Sequence, residues 1–312
     1  MGGGRFAHGR RIWRGAVVTN STGTTEWPTH ESTRTRPPRG GCRYRLSIAY
    51  DGTDFFGWQF QPSHPTVQGT LEEALKTLTG ETVRVHACGR TDTGVHARAQ
   101  VAHMDLAKPW NAETLLKGLN ALLPDSIRVT KAVRTTATFH ARYDAKGKEY
   151  RYTIWNAPVE SPLHRHQALF VRVPLDLDAM RRAAVYLTGT HDFAAFSANP
   201  HREIAGTVRT LHRLTVTRHG PLVTISAIGD GFLYKMVRSL AGHLLRVGRG
   251  AVAAEETTEL LASRQRTARV ETAPARGLCL WRIFYRGSPR HSAMPKPTQP
   301  PPSPPLPPPA EG

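Results

Sequence analysis

Between two extended stretches of this chain lies a loop, Gly89 to Ala97, reading GRTDTGVHA. Before it, Thr82 to Cys88 alternates apolar and polar residues as a half-buried strand does; after it, Arg98 to Asp105 again reads as extended. Gly89 and Gly94 permit backbone angles that other residues avoid. A loop built this way must join two strands, and its Asp92 sits at a strand end, a favoured position for a functional site. Taken alone, the same residues also describe a solvated Asp turn.

The segments around the loop define the fold class. Tyr44, Leu46, Ile48 and Tyr50 alternate with Arg45, Ser47 and Ala49, a period of two and hence a strand. Asp51-Gly52-Thr53 then turns the chain; a phosphohydrolase loop would need an aspartate where Ala49 stands. Val67, Leu71, Ala74, Leu75 and Leu78 mark one face of a helix, with Thr70 and Glu73 at capping-box spacing inside it. Asn111 caps a second helix carrying Leu115, Leu116, Leu119, Leu122 and Leu123, and Ile127, Val129 and Val133 suggest a further strand. The order strand, helix, strand, strand, helix, strand is that of a split β-α-β unit, with helices on one face of an antiparallel sheet. The other sheet face is then available for RNA, as in RRM-like domains.

The second half repeats this plan. Lys148 to Asn156 alternates, with Tyr150, Tyr152 and Ile154 on one side. Leu177, Met180, Ala184 and Leu187 mark a helix ending by Gly189, and Val208–Thr217 with Leu222–Ile228 form a hairpin. Met236, Leu240, Leu244 and Val247 give the next helix, and Gly277 to Tyr285 a closing strand. The expectation is an α+β chain of two domains, 43–136 and 137–286, with a central cleft between them. Residues 1–42, rich in Gly, Arg, Ser and Thr, read as a disordered basic extension, and 287–312 as a disordered proline-rich tail. The Arg-rich opening also faintly resembles an organelle transit peptide.

Charge narrows the partner. The formal net charge is +18 and the pI about 10.6, which favours a polyanion. Residues 1–42 hold seven Arg against two Glu, and 287–312 two basic residues against one acidic, so +12 stays with 43–286. The excess belongs to the body and points to nucleic acid. Cys42, Cys88 and Cys279 are odd in number and far apart, and no CxxC or HExxH occurs, so neither a disulfide framework nor a zinc site is expected. Apolar runs such as Leu222 to Ile228 are too short to span a bilayer.

The GRTDTGVHA loop resembles the signature loop of the tRNA pseudouridine synthase A family. Three further stretches match that family in order: Tyr50-Asp51-Gly52-Thr53 with Gly57-Trp58-Gln59, then Lys148 to Tyr152, then Phe232 to Arg238. Thr93 departs from the alanine usual in bacterial members. The resemblance implies the pseudouridine synthase fold and conversion of uridine to pseudouridine at positions 38–40 of the tRNA anticodon stem-loop, without cofactor or metal. It also implies a cytoplasmic homodimer with tRNA as its partner.

By the same resemblance Asp92 is the catalytic carboxylate, nucleophile or base. Arg90 reaches into the nucleic acid to hold the base flipped, and Tyr150 stacks on the uracil. Arg238 pairs with the aspartate in a water-poor pocket, and Leu278 lines the pocket wall. Phe139, His140, Ala141, Arg142 and Tyr143 resemble a segment that touches RNA. Ala198, Asn199, Pro200, His201 and Arg202 lie where the family has a further tRNA-contacting loop, a match of position more than of residue. Three other readings stand beside this one: a non-catalytic RNA-binding protein on the same scaffold, a synthase with another RNA target, and a glycosidase pairing Asp92 with Asp51. Retention of Asp92, Tyr150 and Arg238 together argues against the first, and the basic body against the last.

Overall fold

The computed structural model describes residues 37–199 and 206–286. Almost all of the basic extension, the proline-rich tail and the expected contacts Pro200, His201 and Arg202 lie outside the described residues. In chain order the elements are β1 (Cys42–Tyr50), α1 (Val67–Thr79), β2 (His86–Ala87), β3 (His96–Leu106), α2 (Ala112–Leu122) and β4 (Ile127–Thr135). There follow β5 (Ala145–Asn156), β6 (Leu169–Val171), α3 (Leu177–Leu187), β7 (Gly189–Asp192), β8 (Val208–His219) and β9 (Leu222–Gly229). The last are α4 (Met236–Gly248), α5 (Glu256–Ser263) and β10 (Leu278–Tyr285).

The expected α+β class holds. The strands form one sheet in the order β4-β1-β3-β10-β5-β9-β8-β7, with β2 added to β3 and β6 to β5. Along this path every pairing is antiparallel except that of β3 with β10, which is parallel and confined to Cys279 opposite His96 and Leu280 opposite Ala97. Two antiparallel sheets, one from each half, thus meet edge to edge at a short parallel seam. The Asp92 loop enters β3 at this seam.

Alternation decides the faces. Tyr44, Leu46 and Ile48 of β1 are fully buried with Leu71 and Leu75 of α1 and Leu115 and Leu119 of α2. On β5, Tyr150, Tyr152 and Ile154 are buried, Leu280 and Leu278 stand opposite the two tyrosines in register, and Leu240 and Leu244 of α4 join the same core. Each such aliphatic side chain contributes about 1.5–3 kcal/mol by leaving water. Intervening residues take the opposite face, where Arg98 and Arg151 stack on Trp281 at 4.3 and 4.0 Å.

One local expectation is corrected, one open helix start is fixed, and three short elements are added. The strand expected over 82–88 shrinks to His86–Ala87, because the Val85 N–H is taken by Glu72 Oε1 of α1 at 2.9 Å. Helix α1 is capped by Thr66, whose Oγ1 accepts from Gly69 N, whereas Thr70 lies inside the helix and donates its hydroxyl to Thr66 O. Helix α5 and the short β6 and β7 carry too little apolar periodicity to be read from the sequence. No helix among the described residues is long and apolar enough to cross a membrane.

Candidate active site

The Asp92 loop is fastened mainly through its backbone. Thr91 O accepts from Trp58 N at 3.0 Å, and Thr91 Oγ1 bonds the Tyr50 hydroxyl at 2.8 Å. Gly94 N donates to Phe55 O, and Val95 N closes the turn onto Asp92 O. Two glycines are sterically required here. A Cβ on Gly57, itself at φ +81°, would stand 2.5 Å from Thr91 O, and one on Gly52 would stand 2.1 Å from Val95 O. Segment 50–58 is therefore a cradle for the loop, which gives a physical reason for Asp51-Gly52-Thr53 and Gly57-Trp58 to accompany it.

Against this loop α4 brings Arg238. Its Nη1 meets Asp92 Oδ2 at 3.2 Å, and its Nε donates to Ala273 O at 2.7 Å. Ala273 N returns a bond to Arg238 O, so the arginine is clamped by the strut leading into β10. The pair is half-enclosed, with side chains 14% exposed for Arg238 and 27% for Asp92. The approach to α4 turns at Lys235, whose φ of +57° is unusual for a side-chain-bearing residue.

Tyr150 lies beside them. It is buried, edge-on to Phe232 with centroids 5.2 Å apart. Burial, then the neighbouring Tyr50, Cys88 and Asp92, raise its pKa above the ordinary tyrosine value, so the ring is a neutral platform. Tyr152 is core, its hydroxyl bound to Pro274 O at 2.9 Å. Leu278 is buried opposite Tyr152. Asp51 forms no pair with Asp92: it accepts the Thr53 N–H at 3.0 Å and the Thr53 hydroxyl, and lies 3.1 Å from His96 Nδ1.

The rim is different in character. Arg90 and Arg142 are both exposed, and no carboxylate among the described residues pairs with either. Partial burial, then the proximity of Arg142, disfavours charge on Arg90; since arginine keeps its proton, the two make a concentrated positive edge. Tyr143 is 46% exposed, while Ala141 and His140 are buried and Phe139 packs on the core. His140 Nδ1 accepts from the N–H groups of Arg142 and Tyr143, Arg43 holds Phe139 O, and the Tyr285 hydroxyl holds Ala141 O. Ala198 N donates to Tyr234 O, and Asn199 N to Ser197 Oγ, which joins that loop to the approach of α4.

A family model described as tRNA pseudouridine synthase matches residues 46–144 and 183–286, segments that contain both Asp92 and Arg238. The chain belongs to the tRNA pseudouridine synthase family. It is similar to a protein of Brevibacillus brevis named tRNA pseudouridine synthase A, 47% identical over 244 residues, which cover 78% of this chain and 99% of that one. A protein of the same name from Halalkalibacterium halodurans is 47% identical over 76% of this chain and 90% of its own length. Another, from Solidesulfovibrio magneticus, is 47% identical over 83% of this chain and 98% of that one.

Within this tRNA pseudouridine synthase family member, the site includes residues that sequence reading passed over. His96 shows in the sequence only as a member of the loop, yet it is buried and contacts two other segments, the Asp51–Gly52 turn and Arg276. Ala273 acts through its backbone, for which a side-chain pattern carries no signal. Tyr50 belongs to a core strand by alternation and to the Asp51-Gly52-Thr53 motif by order, and its hydroxyl bonds Thr91 beside Asp92.

Proposed function

We propose that Asp92, paired with Arg238 and flanked by Tyr150, performs the isomerisation of uridine to pseudouridine on a nucleotide flipped out of tRNA. The reaction breaks the C1′–N1 bond, rotates the base and forms C1′–C5; C5 loses its hydrogen and N1 gains one, so no cofactor or redox partner enters. The observation that carries this reading is the 3.2 Å ion pair between a loop carboxylate and a helix arginine, 146 residues apart in the chain. The guanidinium, fixed by Ala273 O, holds the carboxylate in one orientation toward the sugar or base. Tyr150 recognises the uracil by its face, and Leu278 closes the apolar wall. Arg90 and Arg142, with Tyr143, meet the phosphate backbone and set register without reading sequence. Arg90, next but one to Asp92, fills the space the flipped base leaves.

The substrate we infer is the tRNA anticodon stem-loop at positions 38–40, worked on by a cytoplasmic homodimer. Motifs in the same order and relatives covered over nearly their whole length support this reading. Mapping pseudouridine in tRNA after incubation with the wild-type protein and with Asp92→Asn tests it. The expected map shows new pseudouridine at 38–40 with the wild type alone. Binding without conversion would favour the RNA-binding reading, and conversion elsewhere a different target.

A further inference from the structure

The three segments that build the site meet on one side chain. His96, the first residue of β3, is 6% exposed. Its Nε2 lies 3.1 Å from Arg276 O, which can only accept, so Nε2 carries a ring proton; Nδ1 lies 3.1 Å from both Gly52 N and Asp51 Oδ1. On one side it thus reaches the Asp51–Thr53 turn of the cradle. On the other it holds the strut 273–277, whose Ala273 clamps Arg238 through two hydrogen bonds. Gly94 touches the same strut, since a Cβ there would stand 3.3 Å from that of Ala275.

We infer that His96 is a positioning residue for the isomerisation: by bonding Arg276 O it fixes the separation of Asp92 from Arg238. The inference rests on the assignment of Asp92 above. Asp92 and Arg238 come from the two halves of the sheet, and only two residue pairs join those halves at the parallel seam. With two residue pairs, the seam by itself leaves some freedom between the halves, which the side chains packed around it must remove. A buried, directional bond beside it removes that freedom where it matters, four residues from the carboxylate. A charge pair at 3.2 Å through a single guanidinium nitrogen is sensitive to such a shift, since misplacement by about 1 Å costs on the order of 100-fold in rate.

Two substitutions separate the two ends of the imidazole. His96→Gln sets an amide N–H where Nε2 was and keeps the bond to Arg276 O. His96→Asn sets an amide where Nδ1 was, keeps a polar group within reach of Gly52 N and Asp51 Oδ1, and loses the strut. Single-turnover release of the C5 hydrogen from tRNA at saturating enzyme is the readout, with tRNA affinity measured in parallel. The expected result is a loss of about 10- to 100-fold for His96→Asn, recovery to within about 3-fold for His96→Gln, and unchanged affinity for both. In a double-mutant cycle, His96→Asn and Arg238→Lys should be less than additive, because both loosen the same pair.

Equal losses for Gln and Asn, wild-type rates for both, or strict additivity with Arg238→Lys would overturn the inference. So would a His96→Asn protein that is slow only because it is unfolded at the assay temperature, as judged by circular dichroism. Turnover persisting in Asp92→Asn would instead overturn the reading of Asp92. A dead Asp92→Asn beside His96 variants at full rate removes His96 alone.

Discussion

The floor and the rim of the site are built on opposite principles. On the floor, Asp92, Arg238 and Tyr150 are each tied to neighbours by short contacts from the cradle, the strut and Phe232. On the rim, Arg90 and Arg142 project into solvent with no carboxylate partner among the described residues. Bond rearrangement needs one geometry held with little reorganisation. Binding a polyanion needs mobile charge that exchanges counterions for phosphate. The difference implies that floor substitutions change rate at fixed affinity, and rim substitutions change affinity at nearly fixed rate.

The largest effect should come from Asp92→Asn, which keeps shape and removes charge. Turnover should drop by roughly 1,000-fold or more while tRNA affinity stays within a few-fold. C5-hydrogen release and filter binding on one tRNA transcript measure both. A parallel collapse of binding would erase the division between floor and rim.

Next is Arg238. Lysine there keeps a positive charge but cannot bond Ala273 O and Asp92 together from a planar fork. Arg238→Lys should lose about 10- to 100-fold in rate and Arg238→Met more, since electrostatic groups in such sites contribute on the order of 100- to 1,000-fold. Solvent screening limits the ion pair itself to about 1 kcal/mol of stability, and Arg238→Met adds the loss of the Ala273 O partner, about 1–3 kcal/mol. Thermal melts beside single-turnover rates check the pair of statements.

Arg142→Ala should act on the other side of the comparison. Affinity should fall several-fold, and the slope of log affinity against log salt should lose roughly one phosphate contact. The rate at saturating tRNA should remain within about 2-fold. Arg90→Ala sharpens the boundary, because Arg90 is the rim residue next but one to Asp92: a rate loss at saturation would assign it to base flipping as well as to phosphate.

The smallest effect on neutral-pH turnover, but a clear one on stability, concerns two histidines away from the chemistry. Burial, aided by His86, His140 and Arg43, pushes His103 down to about 3; burial, aided by Arg246, pushes His243 down to about 4. The folded protein keeps both neutral, while an unfolded chain protonates them near 6.5. As pH falls below 6.5 the unfolded state gains protons first, so stability should decline until pH passes the folded values. Each histidine contributes a slope of at most about 1.4 kcal/mol per pH unit. Urea melts at pH 7.5, 6 and 5 should show the decline. His243→Gln, which still reaches Thr257, should remove part of it.

What the sequence by itself determined is local in origin. Alternation in Tyr44–Tyr50 and Lys148–Asn156, helical spacing in Leu115–Leu123 and Met236–Val247, and the glycines around Asp92 all follow from side-chain periodicity and backbone freedom over a few residues. The site residues needed ordered motifs as well, because no spacing rule links Asp92 to Arg238. Tertiary structure decided the rest. The pairing of β3 with β10 joins residues about 180 apart, and Glu72 took the N–H that would have extended a strand at Val85. His96, Ala273 and Arg276 matter through backbone carbonyls and a buried imidazole, whose partners exist only after the sheet has closed. The physical reason is that periodicity specifies which face of an element is apolar. Which elements then become neighbours depends on how those faces are buried together, and a hydrogen bond between distant segments leaves no repeating mark in the chain.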